Sequence, residues 1–261
     1  MTAGSLRALL AVVVLQGRQA LQPGELFLTT VTNVPLAAMA AWIATRSADP
    51  AKFTHVAFGV ILLAVWNSGL FRVGAALEAE RIEQTLDLSL TSRTPLLTIL
   101  LGKACALTLP AACSGVASFL AVVVVGQRLP VVEHPLVFAA SFALAWASVL
   151  ITAFLFTPLL ALTRGGAGVF GTVAAFGLVF NGFLYPASAL PPAVAWVARL
   201  LPAPWAMDAA LAAASPAGDP ALIAPGWLAA LTLCAAYLAA TAWLFTLVER
   251  RLRVTGSLAA G

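Results

Sequence analysis

The sequence predicts an all-α membrane protein with six transmembrane helices, from the scarcity of its charges, their spacing and their sidedness. Apolar residues make up 62% of the 261 and charged residues 9%, about a third of the charged share of an ordinary soluble domain. So few charges cannot cover a solvated surface, which makes lipid the main solvent. Between the charges lie six long gaps, 26–45, 53–71, 104–127, 135–163, 165–198 and 220–248, the shortest of nineteen residues. About 20 apolar residues cross a ~30 Å hydrocarbon layer as a helix, and a charge at its middle costs roughly 2.5–3.5 kcal/mol. Each gap therefore has room for one span.

Sidedness sets the orientation. Taking the spans alternately, one side holds Arg7, Arg18, Arg72, Arg81, Arg93, Lys103, Arg164, Arg250, Arg251 and Arg253, and the other Arg46, Lys52, Arg128 and Arg199. Ten against four places the first side, with both termini, in the cytoplasm of a multi-pass protein of the inner (plasma) membrane. The pI near 9.4 reflects this bias and does not point to nucleic acid.

Taken in order, residues 1–25 hold an expected interfacial helix with Arg7 and Arg18 near anionic headgroups. Leu9–Leu15 resembles a signal-peptide core, but Gly17-Arg18-Gln19-Ala20 gives no small-x-small cleavage site. The first span runs from about Phe27 to Arg46 and the second from about His55 to Arg72. Residues 77–95 form the most charged stretch, a helix-forming cytoplasmic region in which Glu78 and Arg81 share a face. A short outer loop with Arg128, Glu133 and His134 joins the third and fourth spans, and Thr163-Arg164-Gly165-Gly166 turns into the fifth.

The fifth gap is too long for one span. Helix should fail from Gly182 to Pro186, with Pro191-Pro192 a second break. Val194 to Leu201 then reads as a short helix bearing Trp196, inside a re-entrant outer region over 186–225. The last span ends at Glu249. No repeat or second domain is apparent, so 1–261 reads as a single transmembrane domain. Ala167, Gly171 and Ala175 offer a small-residue face for a neighbouring helix or for ordinary packing. Cys105, Cys113 and Cys234, all within spans, read as apolar packing residues.

The chain lacks G-x-S-x-G and H-E-x-x-H motifs, and His55 and His134 have no catalytic set beside them. No catalysis, metal or cofactor is expected on this chain. No P-loop occurs either, so an ATP-driven device would carry ATP and Mg on another polypeptide. Spans free of charge, with one break, argue against an ion-coupled carrier.

The run E-A-E-R-I-E-Q-T-L-D-L-S-L-T-S from Glu78 to Ser92, followed by Leu101-Gly102-Lys103, resembles the inner-loop signature of type-two ABC exporter permeases. Gln84 and Asp87 stand where that family usually has glycine and glutamate, and Arg93 precedes Thr94-Pro95 where it has serine-proline. Asn181-Gly182-Phe183-Leu184-Tyr185-Pro186, Leu190-Pro191 and Leu201-Pro202-Ala203-Pro204-Trp205 are similar to its glycine–aromatic–proline break and its later leucine-proline motif.

The resemblance implies two permease copies, as a homo- or heterodimer, above two ATPase subunits, with residues 77–95 as the coupling helix. Glu78, Glu80, Arg81 and Glu83 would transmit motion, since charge-assisted contacts are strong and directional; solvation of the loop is the plain alternative. Asn33, Asn67 and Asn181 are expected on the substrate path or in interhelical hydrogen bonds, because an amide facing lipid is costly. Phe180 and Phe183 would narrow the path near its outer end. A path without fixed charge suits hydrophobic drug-like or lipid-like substrates; glycan or glycolipid export, an ion-coupled carrier and a non-transporting membrane partner of an ATPase are the alternatives.

Overall fold

The computed structural model describes residues 22–47, 49–82, 108–162, 166–215 and 218–255. Within these residues the chain is all-helical, with no strand. Its helices are α1 (Pro23–Thr45), α2 (Pro50–Ile82), α3 (Thr108–Gly126), α4 (Pro135–Leu162), α5 (Gly166–Phe180), α6 (Pro192–Arg199), α7 (Pro202–Ala214) and α8 (Ile223–Thr255). Two 3₁₀ turns, Ala187–Ala189 and Pro220–Leu222, complete the described elements.

Proline does much of the punctuation. It opens α1, α2, α4, α6 and α7, where its missing N–H falls among the donors that lack a helical partner anyway and its fixed φ already suits the helix. At the start of α2 the Asp49 carboxylate accepts the Ala51 N–H at 2.9 Å, an N-terminal cap. At the end of α3 the chain leaves the helix through Gln127, the one non-glycine with positive φ (51°) among the described residues. Gly126 just before it has no side chain, and the Phe53 ring occupies that space.

α2 is the hub. It packs on α1 and α3 to one side and on α4 to the other, while α4 also carries α7 and α8. Two helix triplets, α1–α2–α3 and α4–α7–α8, thus meet along α2 and α4, and α5 leans mainly on α2. Of the Pro50–Leu70 stretch of α2, 83% is buried, against 22% of Pro220–Leu247 in α8. Hence α2 lies inside and α8 at the rim. The largest wholly buried side chain, Trp66, sits on α2, with Leu62, Leu70, Val149 and Met207 in the same core.

Three helices, through Pro50–Leu70, Pro135–Phe156 and Pro220–Leu247, are long and apolar enough to cross a membrane, and α3 and α5 hold shorter apolar stretches. Large apolar side chains stand exposed on α1 (Phe27, Trp42, Ile43), α3 (Leu120, Val124) and α8 (Leu228, Trp243). Outward-facing Phe, Leu and Trp at this density fit lipid better than water. The chain is built as a helical membrane protein.

The expected α1 and the α3–α4 loop fall where the charge gaps put them. α2 is longer than its gap on both sides, starting at the Asp49–Pro50 cap and continuing past Arg72 to Ile82. Ala75, Ala76, Leu77, Glu78, Ala79 and Glu80 are strong helix formers, and nothing there stops the helix once it has left the uncharged stretch. α8 likewise passes Glu249 and ends at Thr255. Most of the expected interfacial helix (residues 1–21) and the remainder of the charged inner region (83–95) lie outside the described residues.

Candidate functional site at the α5 break

α5 is keyed to α2 before it breaks. The Trp66 indole N–H donates to the Ala174 carbonyl at 3.3 Å, and Gly177 supplies the gap that the indole fills. One turn later Asn181 still bonds back, its N–H to the Gly177 carbonyl at 3.1 Å, and then the helix stops. Gly182 takes φ +68°, a left-handed conformation that glycine adopts without penalty. Phe183 follows, fully buried in the central core.

Two positions on α2, one turn apart, hold the broken segment. Buried His55 lies with Nε2 2.7 Å from the Gly182 carbonyl. A carbonyl only accepts, so Nε2 carries the proton and donates. Four residues on, the absent side chain of Gly59 leaves room for the Phe183 carbonyl, which any Cβ there would strike. Proline and tyrosine finish the turn: the Ala189 N–H donates to the Pro186 carbonyl at 2.9 Å, and the Tyr185 hydroxyl to the Val179 carbonyl at 2.8 Å. The chain then runs through α6 and α7 back against α4, where the Glu133 and His134 N–H groups donate to the Ala214 and Ala213 carbonyls.

Asn181 is the unusual member. Its side chain is 1% exposed, and neither the amide nitrogen nor the amide oxygen has a hydrogen-bond partner among the described residues. Each buried polar atom left without a partner costs about 1–3 kcal/mol, so native structures usually supply such a group with a protein, water or ion partner.

Asn33 and Asn67 come together elsewhere. The Asn67 amide donates to Asn33 Oδ1 at 2.8 Å; the Asn33 amide donates to Ser114 Oγ at 3.1 Å and to the Thr29 carbonyl at 2.9 Å. This network ties α1, α2 and α3. Along α2, Asn67 is eight residues from Gly59, about 12 Å at 1.5 Å per residue, so these two amides and the Asn181 break form separate centres. Phe180 is half-buried with its ring 4.7 Å from that of Phe176, while the Phe183 side chain is packed inside the core. Glu78, Glu80 and Arg81 fall on the last turns of α2, and Glu83 lies outside the described residues. In the small-residue set, Gly171 has open space where a side chain would be and Ala175 is exposed, so these two positions are uncovered among the described residues. Cys113 and Cys234 are free thiols.

Sequence reasoning placed His55 only at the end of a span; its role as clamp on the α5 break depends on Gly182, 127 residues away. A neutral hydrogen-bonding side chain inside the first turns of an apolar helix was the available signal. The break and the charged turns stand at opposite ends of one continuous helix. α2 has 33 residues, a length of about 50 Å, against a ~30 Å hydrocarbon layer. One end grips the α5 break, and the other carries Glu78, Glu80 and Arg81. Among the described residues no cluster of His, Cys, Asp or Glu could hold a metal ion. Compared with known proteins, the chain matches no family model and no curated protein.

Proposed function

We propose that this chain is the transmembrane subunit of an ATP-driven ABC exporter, with six spans, both termini cytoplasmic, and ATP and Mg bound on a separate ATPase subunit. Two such chains, identical or paired with a related one, form the substrate path and move hydrophobic drug-like or lipid-like molecules outward across the plasma membrane. Glycan or glycolipid export uses the same architecture and is the alternative cargo.

The observation that carries the reading is the continuity of α2 from the His55–Gly182 bond to the charged turns at Glu78–Arg81. A motor pushing on those charged turns displaces a rigid helix whose far end holds the re-entrant segment, so one stroke reaches the opposite side of the membrane. The Glu78–Ser92 motif supports an ABC motor as the source of the push, and the partnerless Asn181 amide supports the break as the moving part.

The test is purification of the full chain, co-expressed with any ABC ATPase encoded beside its gene, through a tag on this chain. ATP hydrolysis is then compared with that of Glu80→Ala/Arg81→Ala. A retained ATPase whose hydrolysis falls at least about tenfold in the variant, roughly 1.4 kcal/mol of lost coupling, is the expected outcome. A tagged chain that retains no ATPase removes the proposal.

A further inference from the structure

At the loop end of the bundle a cavity of about 460 Å³ opens between the start of α2, the α3–α4 loop and the end of α7. Its wall is mostly apolar, with Phe53, Leu129, Val131 and Leu211 among the lining residues, yet it also holds Lys52, Arg128 and Asp49. The Asp49 carboxylate is already engaged by the Ala51 N–H at the α2 N-terminus. Arg128 is different. Its guanidinium carbon lies over the Phe53 ring, 4.3 Å from the centroid, and its Nε and Nη2 are buried with no hydrogen-bond partner among the described residues.

The ring contact occupies none of the guanidinium N–H donors. Nε–H and Nη2–H are the two parallel donors of one guanidinium edge, spaced to take both oxygens of a phosphate or carboxylate. Phe53 packs against the guanidinium, and the Gly126–Gln127 turn makes room for Phe53. Lys52 and the N-terminal turn of α2 add positive potential at the same wall. A free inorganic anion would use this polar edge and leave the apolar wall wet. The cavity also lies near the starts, at Pro50 and Pro135, of two helices long and apolar enough to cross a membrane.

We propose that this cavity binds an anionic amphiphile, with its phosphate or carboxylate on the Arg128 fork beside Lys52 and its tail against Phe53, Leu129, Val131 and Leu211. The ligand is either a bilayer phospholipid or an exported molecule of the same chemistry. The site needs no ATPase, so its success or failure is separate from that of the exporter reading.

The experiment titrates the purified full chain, in neutral maltoside detergent, with a fluorescent phosphatidylglycerol. Competitors are unlabelled phosphatidylglycerol, diacylglycerol with the same chains, and inorganic phosphate. Saturable binding should weaken at least tenfold in Arg128→Gln. Arg128→Lys, which keeps charge without a fork, should weaken it severalfold, and Arg199→Gln, outside the cavity, should leave it unchanged. Diacylglycerol and millimolar phosphate should compete poorly. Equal binding by Arg128→Gln with an unchanged size-exclusion profile overturns the site, as does diacylglycerol competing as well as phosphatidylglycerol. Full displacement by phosphate alone overturns the amphiphile and leaves a free-anion site. If Arg128→Gln does not fold, the Arg128→Lys and Arg199→Gln pair decides, and equal affinities in those two overturn the fork. A phosphatidylglycerol-selective site is consistent with a bilayer lipid, whereas export of the probe from vesicles by the assembled transporter would identify it as cargo.

Discussion

In the α1–α2–α3 triplet polar side chains run in series across all three helices, from Asn67 to Asn33 to Ser114. The α4–α7–α8 triplet has two isolated pairs, both between α4 and α8: the Trp227 indole donates to Ser141 Oγ at 2.8 Å, and Cys234 Sγ lies 3.3 Å from Ser148 Oγ. Its third helix, α7, is joined by smallness instead. Ala203, Ala206, Ala209, Ala210, Ala213 and Ala214 are all buried, and Gly226 at the start of α8 abuts the Trp205 carbonyl and the Ala209 methyl. In lipid, apolar surface gains little by leaving the solvent, so helices associate through close packing and hydrogen bonds. One triplet relies mainly on directional bonds and the other on close approach. The magnitudes differ: an interhelical hydrogen bond in lipid averages about 0.6 kcal/mol, whereas forcing a larger side chain into a filled contact costs about 1–3 kcal/mol.

That contrast orders the consequences of mutation. Ala210→Leu should be the most damaging, about 3 kcal/mol or outright misassembly, because α7 has no space beside Phe138 and Ala213; thermal unfolding in detergent reads it. Asn33→Leu should cost about 1–2 kcal/mol, since it removes the acceptor of Asn67 and the donor to Ser114 together. If Asn33→Leu proves worse than Ala210→Leu in the same assay, the two triplets do not differ in kind. Smallest is Ser141→Ala, about 0.5–1 kcal/mol, which leaves the Trp227 indole without its acceptor. Its effect should be visible as a shift in tryptophan emission even where the melting temperature barely moves.

Much of the fold was legible because lipid imposes a simple rule. Helices do lie over the charge gaps, three of them long and apolar enough to cross a membrane, and the helix break after α5 falls at Gly182. The end of α2 was not legible, since a charge gap reports where lipid stops and says nothing of where helix stops. For the site, the amide chemistry of Asn33, Asn67 and Asn181 drew attention to the right positions, but whether two amides satisfy each other depends on packing. Asn33 and Asn67 are 34 residues apart and bonded; Asn181, buried like Asn33, has no side-chain partner among the described residues. Arg128 read as a loop cation, because its contact with Phe53 brings together residues 75 positions apart in the chain.

The chain order of the polar contacts also bears on biogenesis. Asn33, Asn67 and Ser114 all lie within the first 114 residues, so their network can close while the rest of the chain is still on the ribosome, as N-terminal units commonly do. Ser141 and Ser148 must wait for Trp227 and Cys234, each 86 residues later. Meanwhile their hydroxyls donate to carbonyls of their own helix, Ser141 to Val137 and Ser148 to Leu144. α4 therefore enters the bilayer with these donors already satisfied, and Trp227 and Cys234 arrive to find oxygen lone pairs still open.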